Sequence, residues 1–124
     1  MDLITRYEQV HSVAPQTQSG NGTLTGSGVD CRKYEQPLYA LYGHSAPTGS
    51  PTALSVTPNW QESEDNSTFA EPNQAKVDTA STSTSAAAKM IRLVREKRYV
   101  RLQLVVAFTG GSSPTVDAYA LIFG

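Results

Sequence analysis

From Arg98 to Phe108 the chain reads Arg-Tyr-Val-Arg-Leu-Gln-Leu-Val-Val-Ala-Phe, and Val100, Leu102, Leu104, Val106 and Phe108 all fall on one parity. Side chains alternate between the two faces of a strand, so this spacing predicts a long β-strand with one continuous buried face. The other parity carries Tyr99, Arg101 and Gln103, which predicts an exposed polar face.

Other stretches follow the same rule. Leu38 to Tyr42, Ala53 to Gln61 and Val116 to Phe123 alternate or run apolar, with weaker signals at Glu8 to Val13, Gly22 to Leu24 with Val29, Val77 to Thr79 and Lys89 to Val94. Between them lie Ser19-Gly20-Asn21-Gly22, the polar loop from Gly43 to Pro51, and Thr109 to Pro114. These segments supply the positive-φ glycines and fixed-φ prolines that reverse a chain. The predicted fold is therefore all-β: an antiparallel β-sandwich, jelly-roll-like, in residues 19–124. Residues 1–18 precede it as an N-terminal arm or as an edge strand.

Ser81 to Glu96 competes as a helix, because Ala86-Ala87-Ala88-Lys89-Met90 has good helix propensity. Ile91 and Leu93 followed by Arg-Glu-Lys-Arg look more like a strand leading into a turn. Pro58 sits inside the Ala53 to Gln61 strand and has no N–H to give a ladder. That strand is expected at a sheet edge or with a bulge, where its backbone near Trp60 would be available to a neighbouring subunit.

A chain of 124 residues is enough for one domain that buries roughly two thirds of its unfolded surface without a disulfide or metal. The single cysteine, Cys31, reads as a buried or half-buried thiol of a reducing compartment. The first residues lack the basic and apolar segments of a secretory signal, and no apolar run is long enough to span a bilayer. The expectation is a soluble protein made in the cytoplasm, with no membrane partner. Asn21-Gly22-Thr23 and Asn66-Ser67-Thr68 then read as turns rather than as glycan acceptors.

Charge is uneven. Residues 1–88 hold four basic and nine acidic side chains, whereas residues 89–101 hold six basic and one acidic. The basic run, Lys89, Arg92, Arg95, Lys97, Arg98 and Arg101, could contact phosphates. The chain nevertheless carries a net charge of −1, and the run lacks the interleaved glycines and aromatics of a strand-binding platform, which argues against nucleic acid. Ion pairing with Glu62, Glu64 and Asp65, within or between subunits, is the simpler expectation.

That acidic group does not follow calcium-loop spacing. His11 and His44 sit in no hydrolase, kinase or zinc pattern, and neither Gly20-Asn21-Gly22 nor Gly110-Gly111 leads into a phosphate-binding helix or lysine. No catalytic residue and no cofactor is assigned, and an enzyme is not expected.

The order of these features carries a resemblance. Gly26 and Gly28 precede Val29-Asp30, then come Tyr34, a strand ending in Gly43, and Gln61-Glu62-Ser63-Glu64-Asp65 with Phe69 after it. Lys97-Arg98-Tyr99-Val100-Arg101 then leads into an apolar strand, a Gly-Gly-Ser turn and a last apolar strand. Between about Thr23 and Phe123 this resembles a group of small structural proteins of tailed bacteriophages, most of all capsid decoration or cement proteins. The resemblance implies a virion component on the capsid exterior, made in the host bacterial cytoplasm, bound to the major capsid protein and forming a dimer or trimer with itself. A tail, neck or head-fibre component is the alternative location, and a carbohydrate-binding sandwich using Trp60 and surface tyrosines is the alternative class. The residues expected to make protein contacts are Leu3, Ile4 and Tyr7 on the arm, Trp60, Glu62, Glu64 and Asp65 around the acidic loop, and Lys97, Arg98 and Arg101 on the basic strand.

Overall fold

The computed structural model describes residues 9–34, 38–72 and 82–123. In these residues the chain forms eight strands: β1 (Gln9–Ser19), β2 (Gly22–Thr25), β3 (Val29–Asp30), β4 (Leu38–His44), β5 (Ala53–Ser63), β6 (Ala87–Leu93), β7 (Tyr99–Thr109) and β8 (Thr115–Phe123). All pairings are antiparallel, and two sheets pack as a β-sandwich. One sheet runs β1-β8-β4-β6. In the other, β7 pairs with β2 and β3 along one side and with β5 along its whole other side.

The long strand behaves as its alternation requires. Val100, Leu102, Leu104 and Val106 are buried, Phe108 packs partly against the core, and Val105 on the opposite parity is exposed. Leu24, Val29, Leu54, Val56 and Trp60 complete that inner face, and the core also holds Val13, Cys31, Tyr34, Leu38, Ala40, Tyr42, Ile91, Leu93, Val116, Ala118, Ala120 and Ile122. The segment with competing helix and strand signals is a strand from Ala87 to Leu93, with Ile91 and Leu93 buried. Burial of alternate residues against β4 overrides the local helix propensity of the alanines.

Pro58 lies on an edge strand with an uninterrupted register, opposite Leu104. The backbone explains why it is tolerated. Glu62 exchanges both of its backbone hydrogen bonds with Ala70 on the outer side of β5, at 3.0 Å each. Residues of that parity, Pro58 included, therefore turn their backbone groups away from β7, and the missing N–H costs the ladder nothing.

β1 is bent by register shifts on either side of Val13, and the first of these releases Ser12 into the sheet junction. Its Oγ accepts the Leu102 N–H at 2.9 Å and donates to the Ser27 carbonyl at 2.8 Å. Leu102 faces the gap between β2 and β3, so a hydroxyl from the other sheet stands in for the absent strand partner. Gly26 permits this approach, because a Cβ there would lie 2.3 Å from Ser12 Oγ.

Leu104 is fully buried and flanked by Leu24 on one side and Pro58 on the other. Leu104→Asp is expected to destabilise the domain by about 4 kcal/mol or more, a large part of the stability of a chain this size. Circular dichroism should show it unfolded or with a sharply lowered Tm, and an unchanged Tm would contradict the burial of this face.

Candidate interaction surface

At one end of the sandwich, residues 61–72 fold back over β7 and meet the turn between β6 and β7. The loop is built on Asp65. Its Oδ1 accepts from Ser63 Oγ at 2.8 Å and from the Ser67 and Thr68 N–H groups at 2.9 Å each, while its own N–H donates to Ser63 Oγ. Asn66 takes the left-handed conformation, with φ of 57°, that asparagine accepts more readily than most residues. The loop then crosses β7, where the Arg101 guanidinium lies 4.2 Å from the Phe69 ring centre and donates twice to Gln61 Oε1, at 2.9 and 2.7 Å. Its Asn66 and Phe69 side chains reach Gly28, where a Cβ would meet Asn66 Oδ1 and Phe69 Cζ at 1.8 and 2.8 Å, so any larger residue would displace them.

Glu62 holds the neighbouring turn. Its side chain is 1% exposed, and Oε2 accepts the N–H groups of Glu96 and Lys97 at 2.9 and 3.2 Å. Arg95 in the same turn reaches the opposite way, donating to the carbonyls of Cys31 at 2.6 Å, Tyr34 at 3.0 Å and Lys97 at 3.1 Å. Cys31 is buried beneath it, and desolvation pushes its thiol up to about 11, which keeps it protonated and unreactive.

Beside the turn, Arg98 and Asp30 form a two-pronged ion pair, at 3.0 Å from Nε and 2.7 Å from Nη2. The Arg98 hydrogen bond and the Arg32 N–H together hold Asp30 down at about 2. Among the described residues, Asp30, Arg32, Lys33 and Arg98 line a surface cavity of about 470 Å³.

Several expectations change at this point. Trp60 belongs to the core at 6% exposure and offers no ring for sugar stacking, and Glu62 is not an exposed acidic contact but an internal anchor. Both share the parity of Leu54 and Val56, which turns them inward. Arg98 pairs with Asp30 rather than with the acidic loop. Arg101 faces Gln61 and Phe69. Asp65 is exposed, yet its carboxylate serves the loop's own amides, while Glu64 is exposed beside it and Lys97 is half-exposed. Leu3, Ile4 and Tyr7 lie outside the described residues, as does the weak strand at Val77 to Thr79. Arg32 and Lys33, which line the cavity, were visible in the sequence only as a charge pair after Cys31.

Among the described residues no three His, Cys, Asp or Glu side chains come together as a metal-binding group, and no helix is long and apolar enough to cross a membrane. No protein-family model matches the chain, no curated protein matches it, and no solved structure matches it.

Two outcomes follow from these anchors. Glu62→Ala should cost about 2–3 kcal/mol, the usual loss for charge-assisted hydrogen bonds, and should speed amide exchange at Glu96 and Lys97 before the core strands. Glu62→Gln, which keeps an acceptor, should lose less. Asp65, held at about 2 first by the Thr68 N–H and then by Ser63, has a folded pKa below the unfolded carboxylate range near 4. Its contribution is therefore complete above about pH 4 and disappears as the pH falls through 2. Denaturant unfolding should show Asp65→Ala less stable than the native chain at pH 7, with the difference closing near pH 2.

Proposed function

We propose that this chain is a non-enzymatic virion structural protein that binds the outside of a phage capsid lattice and stabilises it. The observation that carries the proposal is the winding of the sandwich. With β2 and β3 counted as one interrupted strand, β1-β8-β4-β6 faces β2/β3-β7-β5, and Ala70 bridges to Glu62 where one further strand would lie. This is the strand order of a jelly roll, an architecture built of two Greek keys and used by viral capsid and lectin domains. It supports the capsid reading as an analogy of architecture, to which the order of sequence features resembling phage decoration proteins adds.

The site chemistry is compatible. Glu62, Asp65, Arg95 and Arg101 all bind within the fold, which makes one end of the sandwich rigid, and Glu64, Arg32 and Lys33 present charge around it. A rigid module with a charged end suits recognition of a repeating protein surface, where charge selects register more than it adds affinity. The major capsid protein is the partner this reading names. The lectin alternative loses its platform with Trp60 in the core, and Tyr39 and Phe123 stack on each other at 6.0 Å.

Heads purified from phage grown without this gene product should bind the purified chain saturably and disrupt at a higher temperature once coated. Labelling of intact particles should place it over the head lattice. Failure to sediment with heads, or label confined to the tail, would overturn the reading.

A further inference from the structure

We infer that β6 is the contact through which two copies of this chain pair, antiparallel, about a two-fold axis at Met90. The inference does not lean on the capsid reading, because it follows from how the four sheet edges differ. An exposed edge invites another strand, and proteins blunt edges with bulges, prolines and short strands. β1 carries two register shifts and Pro15. β5 carries Pro58 and is bridged by Ala70 at its far end. β2 and β3 are four and two residues long, with a glycine-containing break between them. β6 has none of these features: seven residues pair with β4 without a shift, and among the described residues no strand lies beyond it.

Its side chains are arranged to meet themselves. Two antiparallel copies in one sheet place residues of equal parity opposite each other, so the two-fold falls on a residue. Met90 is the middle of Ala87–Leu93, and centring there pairs all seven residues: Ala87 with Leu93, Ala88 with Arg92, Lys89 with Ile91, and Met90 with itself. No like charges oppose each other in this register. Centring on Lys89 or on Arg92 would set a cation against its own copy, which is unfavourable.

The outer face supports the same centre. Met90 is 57% exposed, the most exposed large apolar side chain among the described residues, and it lies opposite Leu41, which lies opposite Leu121. Pairing at Met90 joins the two four-stranded sheets into one of eight strands. The row Leu121-Leu41-Met90 then continues into its copy, and the exposed methionine is covered. Such an isologous contact closes as a dimer and leaves no further edge of this kind.

Sedimentation equilibrium of the purified chain should give twice the 13.3 kDa chain mass at tens of micromolar. Met90→Lys and Met90→Glu, each placing like charges across the axis, should weaken self-association by about tenfold or more while Tm stays close to the native value. An equal mixture of the two variants should associate again, since Lys then faces Glu. Met90→Cys should cross-link into a dimer under mild oxidation, Cys31 being buried, and Arg92→Cys should not, because it faces Ala88. A native chain that stays monomeric, variants that associate as well as the native chain, or a mixture that fails to recover would each overturn the assignment. If either charged variant fails to fold, the two cysteine variants decide it.

Discussion

Every described strand of the second sheet hydrogen-bonds to β7, and β2, β3 and β5 do not pair with one another. That sheet exists only because one eleven-residue strand keeps its alternation from Tyr99 to Thr109. A slip of one residue would turn Val100, Leu102, Leu104 and Val106 to water and Arg101 and Gln103 into the core, so the register is held by the burial itself. The irregular places elsewhere follow from this. Pro58 can stand in β5 because its backbone faces away from β7, and β2 and β3 can be interrupted because Ser12 supplies Leu102 with the partner that the gap removes.

The polar residues are mostly building material. Glu62 and Arg95 meet at the turn between β6 and β7, the first taking its amides and the second tying it to the carbonyls of Cys31 and Tyr34. Such groups are costly to bury without partners, and the hydrogen bonds they do make hold the turn in one position. The same end carries Asp65 and Arg101, which keep residues 61–72 against β7. Three segments distant in sequence are thereby joined into one rigid end, and the charges it displays keep fixed relative positions.

The fold was legible where one strand's alternation was enough to determine it. β7, β8 and β4 follow from parity, and one proline narrowed β5 to an edge or a bulge, of which the edge holds. The surface was less legible because its contacts join residues far apart in the chain. Asp30 and Arg98 are 68 residues apart, and Ser12 and Leu102 are 90, and no local pattern pairs them. Trp60 and Glu62 are different, since their parity with Leu54 and Val56 already pointed inward. A glutamate is rarely buried unless its carboxylate is satisfied, and the amides of Glu96 and Lys97 that satisfy it come from another hairpin.

The same contacts change what the basic run from Lys89 to Arg101 means. Arg95 binds backbone carbonyls, Arg98 binds Asp30, and Arg101 binds Gln61 over the Phe69 ring, so these three cations are engaged in holding the fold together. Phosphate binding gains affinity from cations that neutralise the backbone and release its counterions, and a cation already paired with a carboxylate contributes little to that. The run therefore divides by position. Its C-terminal half stabilises the loop end of the sandwich, while Lys89 and Arg92 stand on β6. There, two cations three residues apart oppose the antiparallel registers centred on either of them, which would set like charges together.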